Sequence, residues 1–395
     1  MEDADVIVVG AGLAGLAATV QLQAAGLRVV LVEAADGVGG RVRTDEMDGF
    51  LLDRGFQVLL PAYPEVRRLL DLDRLRLQPF TRGVIAGGNE LSLDDLTGPA
   101  RFAVRRPGDA LAVAAMSLRD VLLPGRRLRT APPKSTEREL RRWRISEQTV
   151  DEIFRPFLGG VFLDPELTTS SRLFHLIWRC FLRGGAAVPA NGMRALPQAL
   201  ADLVADDALR LNTHVESVSP GTVETSSGTL TARAVVVATD GTTAAGLVPQ
   251  LTEPTWNAVT TWYFAAPESP LRRPILLLDG DLNTVVMSEV APTYAPPGQA
   301  LISASIPTTQ QADVRPRLER LYGTSTAGWD LIAEYQIPHA LPRMTSDHLF
   351  TSPAKTAPGL YVAGDHRDTS SIQGALVSGR RVAAAVTTDL RRRKS

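Results

Sequence analysis

Val6-Ile7-Val8-Val9-Gly10-Ala11-Gly12-Leu13-Ala14-Gly15 sets an uncharged apolar run against three glycines spaced G-x-G-x-x-G. Four apolar residues without alternation suit a parallel strand buried on both faces. A helical pattern follows to about residue 25, Gly26 supplies its stop, and residues 27–33 read as a second strand ending in Glu33. In such a βαβ unit the glycines divide the work. Gly10 permits the tight turn, Gly12 lets backbone approach a pyrophosphate, and Gly15 brings helix close to strand. The helix start at Leu13 and Ala14 offers unpaired N–H groups to phosphate. Glu33, with Ala34 beside it, stands where an acid accepts hydrogen bonds from an adenosine ribose. Its charge would repel a 2′-phosphate, which argues against NADP.

Two further segments bear on which dinucleotide is bound. Gly39-Gly40-Arg41 offers flexible backbone and a guanidinium that can neutralise diphosphate charge, though an exposed loop arginine is the alternative. Residues 359–365 form another apolar strand pattern ending in Gly364-Asp365. Ligands in open α/β sheets bind at that edge of a strand. The helix opening at Ile372, Gln373, Gly374 and Ala375 can direct N–H groups to the electron-rich N1–C2=O edge of a reduced flavin. A second G-x-G-x-x-G is absent, so a separate NAD(P)H domain is not expected.

Taken together, these motifs resemble the FAD-dependent amine oxidases, protoporphyrinogen oxidases and carotenoid (phytoene) desaturases. Residues 156–165 resemble the helical-region signature of the latter two groups, and Gly192-Met193-Arg194-Ala195-Leu196-Pro197 resembles their turn into a helix. The resemblance covers essentially the whole chain. It implies an α/β protein: a Rossmann-type FAD-binding domain of the glutathione-reductase (GR2-like) type, with an inserted mixed-sheet and helical substrate domain. Residues 1–75, 186–245 and 342–395 would form the FAD-binding domain. Residues 76–95 and 246–341 would supply the sheet part of the substrate domain, and 96–185 its helical part. FAD would be held noncovalently, since Cys180 is the only cysteine and no attachment motif surrounds it. Val215 and Ala238 would line the cofactor from two strands, and Gly55, Phe56 and Gln57 would lie over the flavin.

The expected chemistry is hydride transfer from an apolar or amphipathic small molecule to flavin N5, with dioxygen, a quinone or another carrier as acceptor. Amine oxidation yielding hydrogen peroxide, a non-redox flavin-dependent isomerisation and an inactive flavin scaffold are the alternatives. The catalytic candidates are weakly marked. Gln57 does not titrate usefully, so it serves as a hydrogen-bonding group or simply as part of a strand and turn. His339, in a proline-bounded segment, reads as a base or as a structural residue, and Arg343 as a carboxylate anchor or an ion-pair partner. Trp262, Tyr263 and Phe264 would either line an apolar tunnel or sit in a core. The chain has three lysines, Lys134, Lys355 and Lys394, and none has an obvious claim to a flavin-proximal position. That favours oxidation of a carbon–carbon or ring system over a typical amine oxidase.

Composition narrows the partners. The net charge of −1 draws neither nucleic acid nor an anionic surface globally. A lone cysteine excludes an internal disulfide and a cysteine-based metal site, and no metal is expected. The first residues lack the basic start of a signal peptide, and no run reaches the length of a spanning helix, so a cytoplasmic protein is expected. Residues 111–123 beside Arg126, Arg127 and Arg129 suggest either a surface-seeking amphipathic helix that allows peripheral membrane contact or a helix packed on its neighbours.

Overall fold

The computed structural model describes residues 3–310 and 312–392. Arg393, Lys394 and Ser395 of the basic tail, expected to fray, lie outside the described residues. The quoted stretch forms strand β1 (Ala4–Val9) and helix α1 (Leu13–Ala24), followed by β2 (Val29–Val32), which starts two residues later than its apolar pattern suggests. β1 pairs in parallel with β2 on one side and with Gly228–Val237 on the other. Leu209–Arg210 extends the sheet beyond β2, and Leu360–Val362 extends it beyond Gly228–Val237, both in parallel. The chain thus progresses outward in one direction from β1 and then resumes on its far side. The carboxyl ends of β1 and Gly228–Val237 therefore meet at a topological switch point.

Each face of β1 has a different cover, which is why its apolar run is continuous. Val6 and Val8 pack with Leu16 and Ala17 of α1 and with Leu376 and Val382 of the last helix, Ile372–Arg392. Ile7 and Val9 pack with Val235, Val237, Ala244 and Val248 on the other face. A β-carbon at Gly379 of the last helix would stand 2.3 Å from the Ala14 carbonyl oxygen, so the two helices touch backbone to side-chain-free backbone.

A second sheet of seven strands has the order Asp330–Pro342, Trp256–Ala266, Ala300–Ile306, Leu282–Val286, Leu276–Asp279, Gly83–Ala86, Asn89–Ser92. One face carries Trp262, Phe264 and Ile302, which share a core with Trp329 and with Leu318 of the covering helix Arg315–Tyr322. Trp262 and Phe264 are therefore core residues, and Tyr263 is buried with its hydroxyl donating to the Asp53 carbonyl at 2.9 Å, so none of the three forms a tunnel.

The proline-bounded segment that holds His339 is part of a 13-residue strand, Asp330–Pro342. It lies at the sheet edge, where a proline's missing N–H costs no ladder bond. The register slips between Asn257–Leu341 and Val259–Ile337, so the intervening Pro338-His339-Ala340 is accommodated as an irregularity. Residues 147–154 form a short helical turn, Glu147–Thr149, followed by a π-helical turn, Val150–Phe154. Such turns redirect side chains and recur at functional sites.

Candidate functional site

A cavity of about 1360 Å³ runs from the switch point of the first sheet to the inner face of the second. Its glycine-rich end, the candidate nucleotide end, is built by backbone. Gly10 has φ +99°, and a β-carbon there would come within 3.0 Å of the Ala238 carbonyl oxygen. A β-carbon at Gly15 would fall 1.9 Å from the Gly10 oxygen, so this residue sets the closeness of helix to strand without itself lining the cavity. Gly12 has no neighbour within 4 Å of its β-carbon position and begins α1 without a side-chain cap. The helix therefore presents Gly12, Leu13 and Ala14 to the cavity with unsatisfied N–H groups, which is the chemistry that receives a pyrophosphate.

Glu33 ends β2 at the cavity wall. Its Oε2 accepts from Ala11 N at 2.7 Å and its Oε1 from Ala35 N at 2.9 Å, which ties the carboxylate to the glycine turn and leaves each oxygen a further lone pair. Ala34, Val215, Ala238 and Thr239 line the same end. Gly39 and Gly40, at φ +116° and +59°, close over it, with Gly39 N donating to the Ala11 oxygen at 2.9 Å.

Arg41 and Asp365, 324 positions apart, meet at 2.6 Å. The guanidinium also donates to the Ala340 carbonyl at 2.8 Å and stacks 5.4 Å from the Trp256 ring. Arg41 is thus neither a free loop residue nor an uncommitted phosphate clamp; it joins the first sheet to the edge strand of the second. Behind Asp365, His366 is buried with neither ring nitrogen hydrogen-bonded, and burial depresses its pKa to about 4. Gly364 leaves room for that ring, since a β-carbon there would stand 2.3 Å from His366 Cε1. Asp240, also on the wall, caps the helix Gly241–Leu247; burial opposes its ionisation, but hydrogen bonds from Thr243 and Thr242 hold its pKa below the usual range.

The helix Ile372–Arg392 contributes Ile372 and Ala375 to the wall, together with Ser370 and Ser371 that precede it. Gln373 does not join them, because its Oε1 accepts from Glu65 N at 2.9 Å. Gly374 is a packing residue whose β-carbon would stand 1.8 Å from the Thr369 oxygen. Helical periodicity turns positions 373 and 374 away from the wall, since four successive residues cannot all face one side.

Gly55, Phe56 and Gln57 lie where the two sheets approach each other. Gln57 Nε2 donates to the Arg41 and Arg54 carbonyls at 2.8 and 2.9 Å, so this amide fixes the loop. Phe56 N donates to the Thr261 hydroxyl at 3.2 Å. Beneath them Asp53 is fully buried. Its carboxylate accepts from Thr44 Oγ1, Met193 N and Tyr294 OH at 2.6, 2.9 and 2.9 Å. Burial raises its pKa to about 6 despite those bonds. Asp53 holds the segment in place without reaching the cavity.

His339 lines the cavity but is exposed, and its ring stacks on Trp256 at 5.1 Å and 17°. Arg343 lies elsewhere: its guanidinium donates to Thr168 Oγ1 at 3.2 Å, outside the cavity wall. The rest of the chamber is mostly apolar and comes from elements the sequence did not connect. Phe102, Val113, Phe154, Phe157, Trp178 and Phe181 face it from helices, and Val259, Leu276 and Leu278 from the second sheet. The Phe157 ring packs edge-on to Trp178 and Phe181 at 6.2 and 5.3 Å. Among the described residues no lysine lines the cavity, and its acids, Glu33, Asp240 and Asp365, all stand at the nucleotide end. Lys355 is paired with Asp389 at 2.6 Å. Arg54 and Arg82, at the chamber wall, are paired with Asp45 and Asp94 at 2.8 and 2.7 Å.

Comparison with known proteins agrees with this arrangement. A family described as flavin containing amine oxidoreductase matches residues 13–387. Chloroplastic protoporphyrinogen oxidase of Nicotiana tabacum is 22% identical over 97% of this chain and 85% of its own length. Protoporphyrinogen oxidase 2 of Arabidopsis thaliana is 28% identical over 44% of this chain, and the match spans only 35% of that protein. Phytoene dehydrogenase of Streptomyces griseus is 45% identical over a segment covering 22% of this chain and 19% of its own. In fold, a putative protoporphyrinogen oxidase from Exiguobacterium superposes with a TM-score of 0.73 at 17% identity, covering 98% of this chain and 100% of the other. A putrescine oxidase superposes at 0.68 and 19% identity, covering 98% and 99%.

Proposed function

The chain belongs to the flavin-containing amine oxidoreductase family, and we propose that it is an FAD-dependent enzyme that dehydrogenates a neutral apolar or amphipathic small molecule. Membership makes it a flavin-dependent oxidoreductase; the choice of FAD and the substrate class are the proposal. The observation that carries the substrate class is the chamber wall, mostly apolar and without an unpaired cation or any carboxylate among the described residues. An ammonium substrate would enter it with no counter-charge, at a desolvation cost that nothing on the wall offsets.

FAD rather than a smaller flavin is favoured by the length of the site, which joins a pyrophosphate-binding helix start, a ribose acid and a second wall at Gly55–Gln57 in one cavity. The parallel strand order around β1 suits a domain of the glutathione-reductase type, with residues 1–75, 186–245 and 342–395 as its three pieces. When bound, FAD supplies the hydride-accepting N5. The chain's own part is to hold the phosphates at α1, fix Gly55–Gln57 through Gln57 and Asp53, and exclude water with the aromatic wall. Noncovalent binding is favoured because Cys180 is not on the wall and burial pushes its thiol up to about 11.

The helices Thr97–Arg105 and Pro107–Leu122 carry Phe102 and Val113 to the chamber and leave Leu96, Val104, Leu111, Leu118 and Leu122 exposed with Arg101 and Arg105. Peripheral contact of this face with a membrane surface is part of the proposal. No helix among the described residues is long and apolar enough to cross one.

The purified protein should be yellow and release FAD on denaturation. Anaerobic mixing with neutral lipophilic candidates should bleach the flavin, and reoxidation by dioxygen, a quinone or a protein carrier identifies the acceptor. Bleaching by amines with peroxide release would instead make it an amine oxidase. Substrate conversion without an acceptor would make it an isomerase.

A further inference from the structure

One cross-strand row of the second sheet reaches the chamber at its two ends, through Tyr335 on one side and Asn283 and Leu278 on the other, and its register defines the row. Tyr335 pairs with Thr261, Thr261 with Ser305, Ser305 with Asn283 and Asn283 with Leu278. Every polar member but one is satisfied within the protein. The Tyr335 hydroxyl donates to Asp45 Oδ2 at 2.9 Å, and the Thr261 and Ser305 hydroxyls bond each other at 2.7 Å. Asn283 is 5% exposed and lines the cavity, yet its amide makes no hydrogen bond among the described residues. The neighbours cannot supply one. Ser305 is committed to Thr261, and Leu278 is apolar. Opposite the amide stands Gly160 of the helix Arg155–Phe162, where a β-carbon would come within 3.0 Å of Asn283 Nδ2. The absent side chain keeps the amide open to the chamber.

An amide that faces a cavity with no protein partner has donors and an acceptor free for whatever occupies that cavity. On an otherwise apolar wall its natural complement is a ligand group that both tolerates burial and pairs with an uncharged donor and acceptor. We propose that Asn283 determines substrate specificity by hydrogen-bonding a carbonyl or hydroxyl borne by an otherwise apolar substrate. This rests on the reading of the chamber as the substrate site. A charged group is not the complement, because an amide supplies no counter-charge. A plain hydrocarbon would leave the amide unpaired and is disfavoured for that reason. Position adds a length. Asn283 lies two strands from Thr261, whose hydroxyl receives Phe56 N. At strand spacings of about 4.8 Å the recognised group sits about 10 Å along the sheet from the Phe56 end of the chamber.

The test titrates the FAD-loaded protein with undecane, 2-undecanone and undecylamine and follows the flavin absorbance spectrum. Wild type should bind the ketone roughly tenfold more tightly than the alkane, the usual worth of one such bond. Asn283→Leu should erase that gap, mainly by weakening the ketone, while flavin content and melting temperature confirm an intact fold. Asn283→Asp, equal in size but without the amide donors, should erase it too and serves where the leucine variant does not fold. No ketone preference in wild type, or a preference that survives in either folded variant, overturns the assignment of Asn283. A wild-type flavin that responds to undecylamine alone, or to none of the three, overturns the substrate-class reading itself and the Asn283 role with it.

Discussion

The two ends of the cavity are made differently. At the nucleotide end the shape is set by backbone held where a β-carbon would collide: 1.9 Å at Gly15, 2.3 Å at Gly39, 2.3 Å at Gly379. At the chamber end it is set by side chains, Phe157, Trp178 and Phe181 among them, meeting from separate helices. Backbone contacts tolerate no substituent, because a carbonyl cannot be repacked as a side chain can. A wall of aromatic and aliphatic groups accepts exchange for groups of similar volume. The contrast explains how one cofactor site can serve a family whose named members include oxidases of porphyrinogens and of putrescine and dehydrogenases of carotenoids.

Breaking the nucleotide end should give the largest effect. Gly15→Ala forces a methyl onto the Gly10 carbonyl, and flavin retention, read from the 450-to-280 nm absorbance ratio, should fall on the order of 100-fold. Full retention would show that α1 can shift and that the backbone end is not rigid.

The next effect tests the joint between the ends. The pKa of Asp53, raised by burial to about 6, lies above the ordinary carboxylate value, so folding favours its protonated form. Its stabilising contribution is complete below about pH 4 and is lost as pH rises through about 6, on the order of 3 kcal/mol in all. Asp53→Asn keeps the acceptor for Thr44 and Met193 and can donate to Tyr294. Denaturant melts between pH 4 and 7 should therefore show the difference, variant minus wild type, rising with pH. Parallel profiles would mean that Asp53 does not titrate in this range.

The smallest change belongs to the chamber. Phe157→Leu removes an edge-on ring from the wall and should cost about 1–2 kcal/mol in a melt while leaving flavin content unchanged. Loss of flavin would erase the distinction between the two ends.

Legibility in the sequence follows the same division. Gly10, Gly12, Gly15, Glu33, Gly39, Gly40 and Arg41 announce themselves because glycine spacing and a fixed-distance acid encode a local turn, and all but Gly15 reach the cavity. Gln373 and Arg343 carry no signal of where their side chains go, and in the fold they pair with Glu65 N and Thr168 away from the cavity wall. His339 was read as part of a loop because two prolines flank it, whereas an edge strand tolerates them. Phe102, Trp178 and Asn283 carried no signal, since an aromatic on a helix or an asparagine in a strand looks the same whether it faces a core or a cavity.

The sequence by itself determined the βαβ unit and its glycine turn, because those depend on neighbours within some thirty residues and on the steric permissions of glycine. The tertiary structure alone decided that Arg41 joins Asp365 across 324 positions, that Asp53 is buried under the cavity-lining segment Gly55–Gln57, and that Asn283 stands unpaired opposite Gly160. Those facts depend on register across a sheet and on which faces of distant helices converge. Both are fixed by packing of the whole chain and by no local pattern.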